Sequence, residues 1–176
     1  SIGAAIKSKF HIDLTNDIPY VIVPGGVDCS TFDFVRKVRD TPNLIYLGSI
    51  SKVRELERLV DMGLEVRFVG SGDAVERLRY LGAHIDNPCS SQEVPSILSE
   101  ADIGLLHLPN RPEWRGASPL KVSEYAAAGM CVISSDVSGL ADFKDEEWLT
   151  LVPIGDDSSF LSATQDMIQS GMDEIQ

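Results

Sequence analysis

The stretch whose residue types and spacing best suit chemistry is Ser118-Pro119-Leu120-Lys121-Val122-Ser123-Glu124-Tyr125-Ala126-Ala127-Ala128-Gly129. Ser118 is a favoured helix N-cap, Pro119 suits the first helical position and Gly129 suits the C-terminal cap, so a helix is predicted between them. The first N–H groups of such a helix lack intrahelical partners and carry partial positive charge, which makes its N-terminus an anion site. Lys121 adds a full positive charge in the first turn, where the helix itself prefers carboxylates. An anionic ligand relieves that conflict. Val122, Tyr125, Ala126 and Gly129 form the stripe expected to face the core, and Glu124 points away from it, one turn beyond Lys121. A carboxylate so placed suits hydrogen bonds from ribose hydroxyls, as acidic residues do in other nucleotide sites. The same residues also read as a well-capped helix with a solvated Lys–Glu pair.

The elements that must position this helix follow from hydropathy. Short apolar runs rich in β-branched residues recur at Tyr20–Val23, Leu44–Leu47, Val66–Val69, Ala83–Ile85, Ile103–Leu106, Cys131–Ser134 and Leu149–Val152, and each is predicted to be a strand. Between them lie segments with helical spacing: Val53, Leu56 and Val60 share a face, as do Val75, Leu78 and Leu81, and Val94, Ile97 and Leu98. Ile2–Phe10 and Ser159–Ile168 suit an opening and a closing helix. Strands alternating with helices imply an α/β fold with a mostly parallel sheet covered on both faces. In such sheets ligands bind outside the carboxyl ends of strands. The loop His107–Ala117, with two prolines and Trp114, leads from a strand to the helix above and is expected to border the site.

The chain has 176 residues, 43% of them hydrophobic and 24% charged, which suits one folded domain rather than a disordered segment. Its net charge of −12 argues against broad nucleic-acid or anionic-lipid binding. The acidity is local: from Asp142 onward Lys144 is the one basic residue among nine Asp and Glu, so the rest of the chain is near balance and has room for a basic pocket. Cys29, Cys89 and Cys131 are odd in number and far apart, which fits a reducing compartment better than a disulfide or zinc scaffold. His11, His84 and His107 show no metal spacing. No segment approaches the roughly 18 apolar residues of a membrane span, and no signal peptide is recognisable. The sequence begins with Ser, which suggests a piece of a longer protein.

Ser118–Gly129, with the following Met130-Cys131-Val132-Ile133-Ser134-Ser135-Asp136, resembles the "SPLKxxEYxAxGxPVVxSD" signature of the group 1 glycosyltransferases, which are retaining enzymes of the GT-B fold. Val21-Ile22-Val23-Pro24-Gly25-Gly26-Val27-Asp28, then Phe32, resembles their "vIPNGVDxxxF". Leu47-Gly48-Ser49-Ile50-Ser51-Lys52-Val53-Arg54 resembles "vGrlsxxKg", Val69-Gly70-Ser71-Gly72 resembles "vGxG", and Glu100-Ala101-Asp102-Ile103-Gly104-Leu105-Leu106 resembles "xADiglxP". Order and spacing agree over roughly residues 20–155.

The resemblance implies one half of a GT-B fold: a Rossmann-like parallel sheet of about six strands, with residues 16–176 as the donor-nucleotide domain. Residues 1–15 would be the end of an acceptor domain or a linker. It implies a retaining, hexosyl-type transferase using a UDP- or GDP-linked sugar, without a tightly bound cofactor or a metal site. The donor diphosphate would rest on Ser118, Pro119, Leu120 and Lys121, with Arg54 on the position of a family lysine. Ser49 replaces a family arginine, and Lys52 would compensate. Glu124 would hold the ribose and Asn87, Pro88 and Cys89 the base. Gly116 stands where many members carry a second glutamate, eight positions before Glu124, and Gly25 replaces an asparagine. No side-chain nucleophile is evident. An acceptor glycan or lipid-linked sugar would bind the missing N-terminal domain, which would also carry any peripheral membrane attachment of an otherwise cytoplasmic enzyme. The fragment alone is expected to be inactive. The expected pathway is glycan or envelope polysaccharide synthesis. The competing reading is a glycosyltransferase-like domain that has lost its chemistry and survives as an interaction module. Gly70 and Gly72 also read as a plain strand-to-helix turn, because the full dinucleotide fingerprint is missing. Trp114 suits either a sugar pocket or packing of its own loop, and His107 suits a structural role beside a strand end.

Overall fold

A computed structural model of the chain describes residues 26–34, 39 and 41–170. The strand expected at Tyr20–Val23 and the helix expected at Ile2–Phe10 lie outside the described residues. Among the described residues, six strands form one parallel sheet: β1 (Leu44–Leu47), β2 (Val66–Val69), β3 (His84–Asp86), β4 (Ile103–Leu106), β5 (Cys131–Ser135) and β6 (Leu149–Val152). Their order across the sheet is β3-β2-β1-β4-β5-β6, the Rossmann order in which the winding direction reverses between β1 and β4. Among the described residues, six α-helices connect and flank them: α1 (Glu57–Asp61), α2 (Val75–Tyr80), α3 (Val94–Leu98), α4 (Pro112–Arg115), α5 (Leu120–Ala127) and α6 (Asp157–Gln169).

Alternation along the strands divides the core into two layers. Ile45 and Leu47 face Val94 and Leu98 of α3 and Val122 and Tyr125 of α5. Leu44 and Tyr46 face the other way, toward Leu59 of α1, Leu78 of α2 and Phe160 of α6. Both faces are therefore covered, which explains why β1, β4 and β5 are buried at every position.

Two helices depart from the expected pattern. Val53, Leu56 and Val60 do not share one helix. A short 3-10 turn (Lys52–Arg54) ends at Glu55, whose φ of 51° and ψ of 42° are left-handed, and α1 starts afresh at Glu57. Leu56 is buried, whereas Val53 is 49% exposed. The second departure is α5, whose N-cap is Pro119 rather than Ser118, with no side chain capping it. Its buried stripe is Val122, Tyr125 and Ala128, not Ala126 and Gly129. Gly129 instead takes φ 65° just beyond the C-cap, where Gly129 N–H donates to Ala126 O and Met130 N–H to Tyr125 O. That pair of bonds is a Schellman motif, and it turns the chain directly into β5.

Strands β1 and β4 pair only through Leu44↔Ile103 and Ile45↔Gly104, while β1 and β2 pair along the whole of β1. The two central strands thus part at their carboxyl ends. Tyr125 fills the wedge: its hydroxyl accepts the Leu47 N–H at 2.9 Å, and its ring lies so close over Gly104 that a Cβ there would overlap it. The glycines after β2 serve a similar close approach. A Cβ on Gly70 would meet Gly48 O, and one on Gly72 would meet Ile50 O, so the loops after β1 and β2 press backbone to backbone.

Candidate functional site

The crevice between the parted ends of β1 and β4 opens into a cavity of about 370 Å³. It is lined by Leu47 and Gly48 at the end of β1, Leu106 and Leu108 at the end of β4, Arg54 and Trp114, and the entry and first turn of α5. Ser118, Pro119, Leu120, Lys121 and Glu124 all line it, together with Arg54. Lys52 is exposed and outside the lining; its backbone N–H donates to Asp73 Oδ1 at 2.8 Å. Of the loop after β3, Asn87 and Pro88 are exposed. Cys89 packs partly against the core, close enough to Glu124 to feel its charge. Gly116 lies at the end of α4 and leaves no carboxylate there.

Lys121 reaches over Gly48 to Tyr46. Its Nζ lies 3.3 Å from the Tyr46 hydroxyl and 4.6 Å from the ring centroid. Gly48 makes room, since a Cβ there would sit 3.1 Å from Nζ. The Tyr46 hydroxyl donates to Ser49 O at 2.8 Å, so it presents a lone pair to the lysine. Burial, helped by the nearby Arg54 charge and opposed by Glu124, pulls the Lys121 ammonium down to a pKa of about 7. Burial likewise pushes the Glu124 carboxyl up, against the pull of Lys121. Burial thus biases both groups toward neutrality. An anion entering it meets the uncapped N-terminus of α5, Lys121 and Arg54.

The wall opposite α5 is built by a chain of charge pairs. The Arg54 guanidinium stacks over the Trp114 ring at 4.8 Å. Next to it, the Glu55 carboxylate accepts from Arg111 Nε at 3.1 Å and from Arg58 Nε at 2.9 Å. Arg58 also donates to Asp157 at 3.0 Å, and Asp157 takes the His107 Nε2–H at 2.8 Å. His107 is only 1% exposed and packs edge-on to Phe160, and burial lowers its pKa despite Asp157. Burial thus favours the neutral ring. The loop 107–117 is therefore not wholly irregular: it contains α4 and is tied to both the β1 loop and the start of α6. Tyr46, Glu55, Arg111 and Asp157 escaped the sequence reading. Their contacts span many residues of the chain, and nothing local marks them.

The sequence profile described as "Glycosyl transferases group 1" matches residues 34–170. The chain belongs to the group 1 glycosyltransferases. No curated protein sequence matches it significantly. Among solved structures, a glycosyltransferase from Rickettsia africae superposes with a TM-score of 0.70 at 13% identity, covering 94% of this chain and 51% of that one. An S. aureus TarM mutant, in complex with fondaparinux, α-GlcNAc-glycerol and UDP, gives 0.69 at 9% identity, covering 95% and 35%. Sucrose-phosphate synthase from Thermosynechococcus elongatus gives 0.67 at 16% identity, covering 96% and 47%. The chain thus has the Rossmann-like fold of one half of GT-B glycosyltransferases, and spans between about a third and a half of these relatives' length. Among the described residues of this group 1 glycosyltransferase, no group of three or more His, Cys, Asp or Glu is placed to hold a metal ion. Among them, too, no helix is long and apolar enough to cross a membrane.

Proposed function

We propose that this chain is the donor-nucleotide half of a retaining glycosyltransferase that uses a nucleotide-sugar. The observation that carries this reading is the convergence of Arg54, Lys121 and Glu124 on one cavity at the N-terminus of α5, at the switch point of the sheet. Two cations and a helix N-terminus suit a diphosphate. Glu124, one turn further along α5, suits the ribose hydroxyls, and the loop Asn87-Pro88-Cys89 suits the base. As the glycosyl bond breaks, negative charge grows on the diphosphate. Lys121 and Arg54 are then preorganised to stabilise the leaving group, and no side-chain nucleophile or metal is required. The UDP bound in the TarM structure supports a nucleotide-sugar donor. The acceptor, a glycan or lipid-linked sugar, would dock on a preceding domain that closes over the donor and excludes water. The setting would be cytoplasmic assembly of a glycan or envelope polysaccharide.

Calorimetric titration of the chain with UDP, GDP and ADP, with and without magnesium, tests this reading. One diphosphate should bind, and Lys121→Ala and Arg54→Ala should each weaken it about tenfold or more, as expected for hydrogen bonds to a charged partner. If none of the three binds even to the longest natural form of the protein, the donor-site reading is wrong, and an interaction module takes its place.

A further inference from the structure

Among the described residues Glu55 is the one non-glycine with positive φ. For chain geometry alone, glycine is the better residue at φ 51°. What Glu55 adds is its carboxylate, and that carboxylate is fully engaged. It is 21% exposed, it accepts from Arg111 and Arg58, and the Arg111 hydrogen bond, against the opposing effect of burial, holds it below the usual carboxylate range.

The partners of Glu55 close a ring of contacts. Arg111 is the N-cap of α4, and its carbonyl accepts the Trp114 N–H at 3.1 Å. Trp114, on α4, supports the Arg54 guanidinium at 4.8 Å. Arg54 is the residue before Glu55. Within this ring the Arg54 Nε and the Trp114 Nε1 are buried and, among the described residues, have no hydrogen-bond partner. The stack itself is therefore not fixed by directional bonds of its own. The directional bonds that set the distance between the Arg54 turn and the Trp114 turn are those from Arg111 to Glu55. Arg58 extends the anchor to Asp157 at the start of α6.

We infer that Glu55 is a positioning residue: through Arg111 it fastens the turn carrying Arg54 to the turn carrying Trp114, so that both form one rigid wall of the cavity and Arg54 is held ready for the donor diphosphate. The last clause rests on the donor-site reading above. The fastening itself does not.

The test uses the two tryptophans of the chain, Trp114 and Trp148. In a Trp148→Phe background, Trp114 is the sole indole reporter, and its quenching by acrylamide reads how tightly the wall is closed. Glu55→Gly, which suits the left-handed backbone, should keep the fold by circular dichroism yet make Trp114 more accessible to quencher. It should weaken UDP binding about tenfold, the size of one lost hydrogen bond to a charged group. Arg111→Ala should give the same two changes, and the double variant no more than either single one. Glu55→Gln, which keeps an acceptor for Arg111, should recover part of both. Unchanged quenching in Glu55→Gly and Arg111→Ala overturns the fastening, whatever nucleotides do. Loosened quenching with unchanged UDP affinity overturns the role toward Arg54. If the parent binds neither UDP, GDP nor ADP, the donor-site reading fails, and quenching alone decides whether Glu55 is the fastener.

Discussion

Lys121 and Tyr46, 75 positions apart in sequence, meet at the rim of the cavity, with Nζ 3.3 Å from the phenol oxygen and 4.6 Å from the ring centroid. The tyrosine supplies a lone pair and a π face, and burial keeps its own hydroxyl protonated by pushing its pKa up to about 12. It holds the lysine in place without neutralising it. The Lys121 ammonium, depressed to about 7 from the 10.5 of a free side chain, is therefore only partly charged near neutrality. The unfolded state holds this proton more tightly, so this group makes stability rise with pH between about 7 and 10.

Binding of a diphosphate reverses that bias, because the anion favours the charged ammonium. Binding should then take up a proton above pH 7, and affinity should fall as pH rises from 7 toward 9. Calorimetry of UDP binding in two buffers of different ionisation enthalpy measures the uptake directly. Lys121→Met should bind more weakly and lose the buffer dependence. Equal heats in both buffers for the parent chain at pH 8 would show that binding leaves the protonation of Lys121 unchanged, which overturns this prediction.

The strands were legible because both faces of a parallel sheet are buried. Leu44–Leu47 and Ile103–Leu106 are unbroken runs without a charged residue, and Val66–Val69 and Leu149–Val152 are each interrupted by one polar residue, Arg67 and Thr150. The helix at 120–127 was legible from Ser118 and Pro119 at its start and Gly129 beyond its end, and the anion site from the misfit of Lys121 in its first turn. Its N-cap was displaced by one residue, because Ser118 and Pro119 are both good first-turn residues and sequence does not say which takes the extended conformation. The break at Glu55 was hidden for a different reason. Val53, Leu56 and Val60 keep helical spacing across it, and one left-handed residue leaves no trace in an amphipathic period. The Arg54–Trp114 stack and the Lys121–Tyr46 contact depend on how the loops after β1 and β4 fold over the crevice, which only tertiary structure settles.

Glu124 stands one turn beyond Lys121 on the same wall, and burial biases its carboxyl toward the protonated form. A group positioned for ribose should matter to nucleosides and not to bare phosphate. Glu124→Gln should lower UDP affinity about tenfold, in line with a lost charged hydrogen bond, and leave competition by inorganic pyrophosphate unchanged. A parallel loss for both ligands would place Glu124 at the diphosphate instead.

Tyr125 carries the split between β1 and β4. Removing its hydroxyl strands the Leu47 N–H in the core, which costs about 1–3 kcal/mol. Tyr125→Phe should therefore lower the melting temperature by roughly 4–8 °C, taking about 2 kcal/mol for a chain of this size. Gly104→Ala should be worse, because the added methyl overlaps the Tyr125 ring and neither strand nor helix has room to retreat. In the Tyr125→Phe background the Gly104→Ala penalty should persist, since the overlap is with the ring and not with the hydroxyl. Thermal melts of the two single variants and the double variant decide this.

His107 offers an acid-side counterpart to Lys121. Its ring is buried against Phe160, and burial outweighs the pull of Asp157, so its folded pKa lies below the usual 6.5. The unfolded chain takes up this proton first on acidification. The stability contributed by neutral His107 is thus fully present above about pH 6.5 and is lost as pH falls toward the lowered folded pKa. His107→Gln keeps a donor toward Asp157 but cannot titrate. It should be less stable than the parent at pH 7 because the packing against Phe160 is lost, and the gap between the two should narrow from pH 7 to pH 5. Urea melts across that range read the gap. A gap that widens on acidification would mean that the ring is an imidazolium paired with Asp157, and that the electrostatics of this wall have the opposite sign.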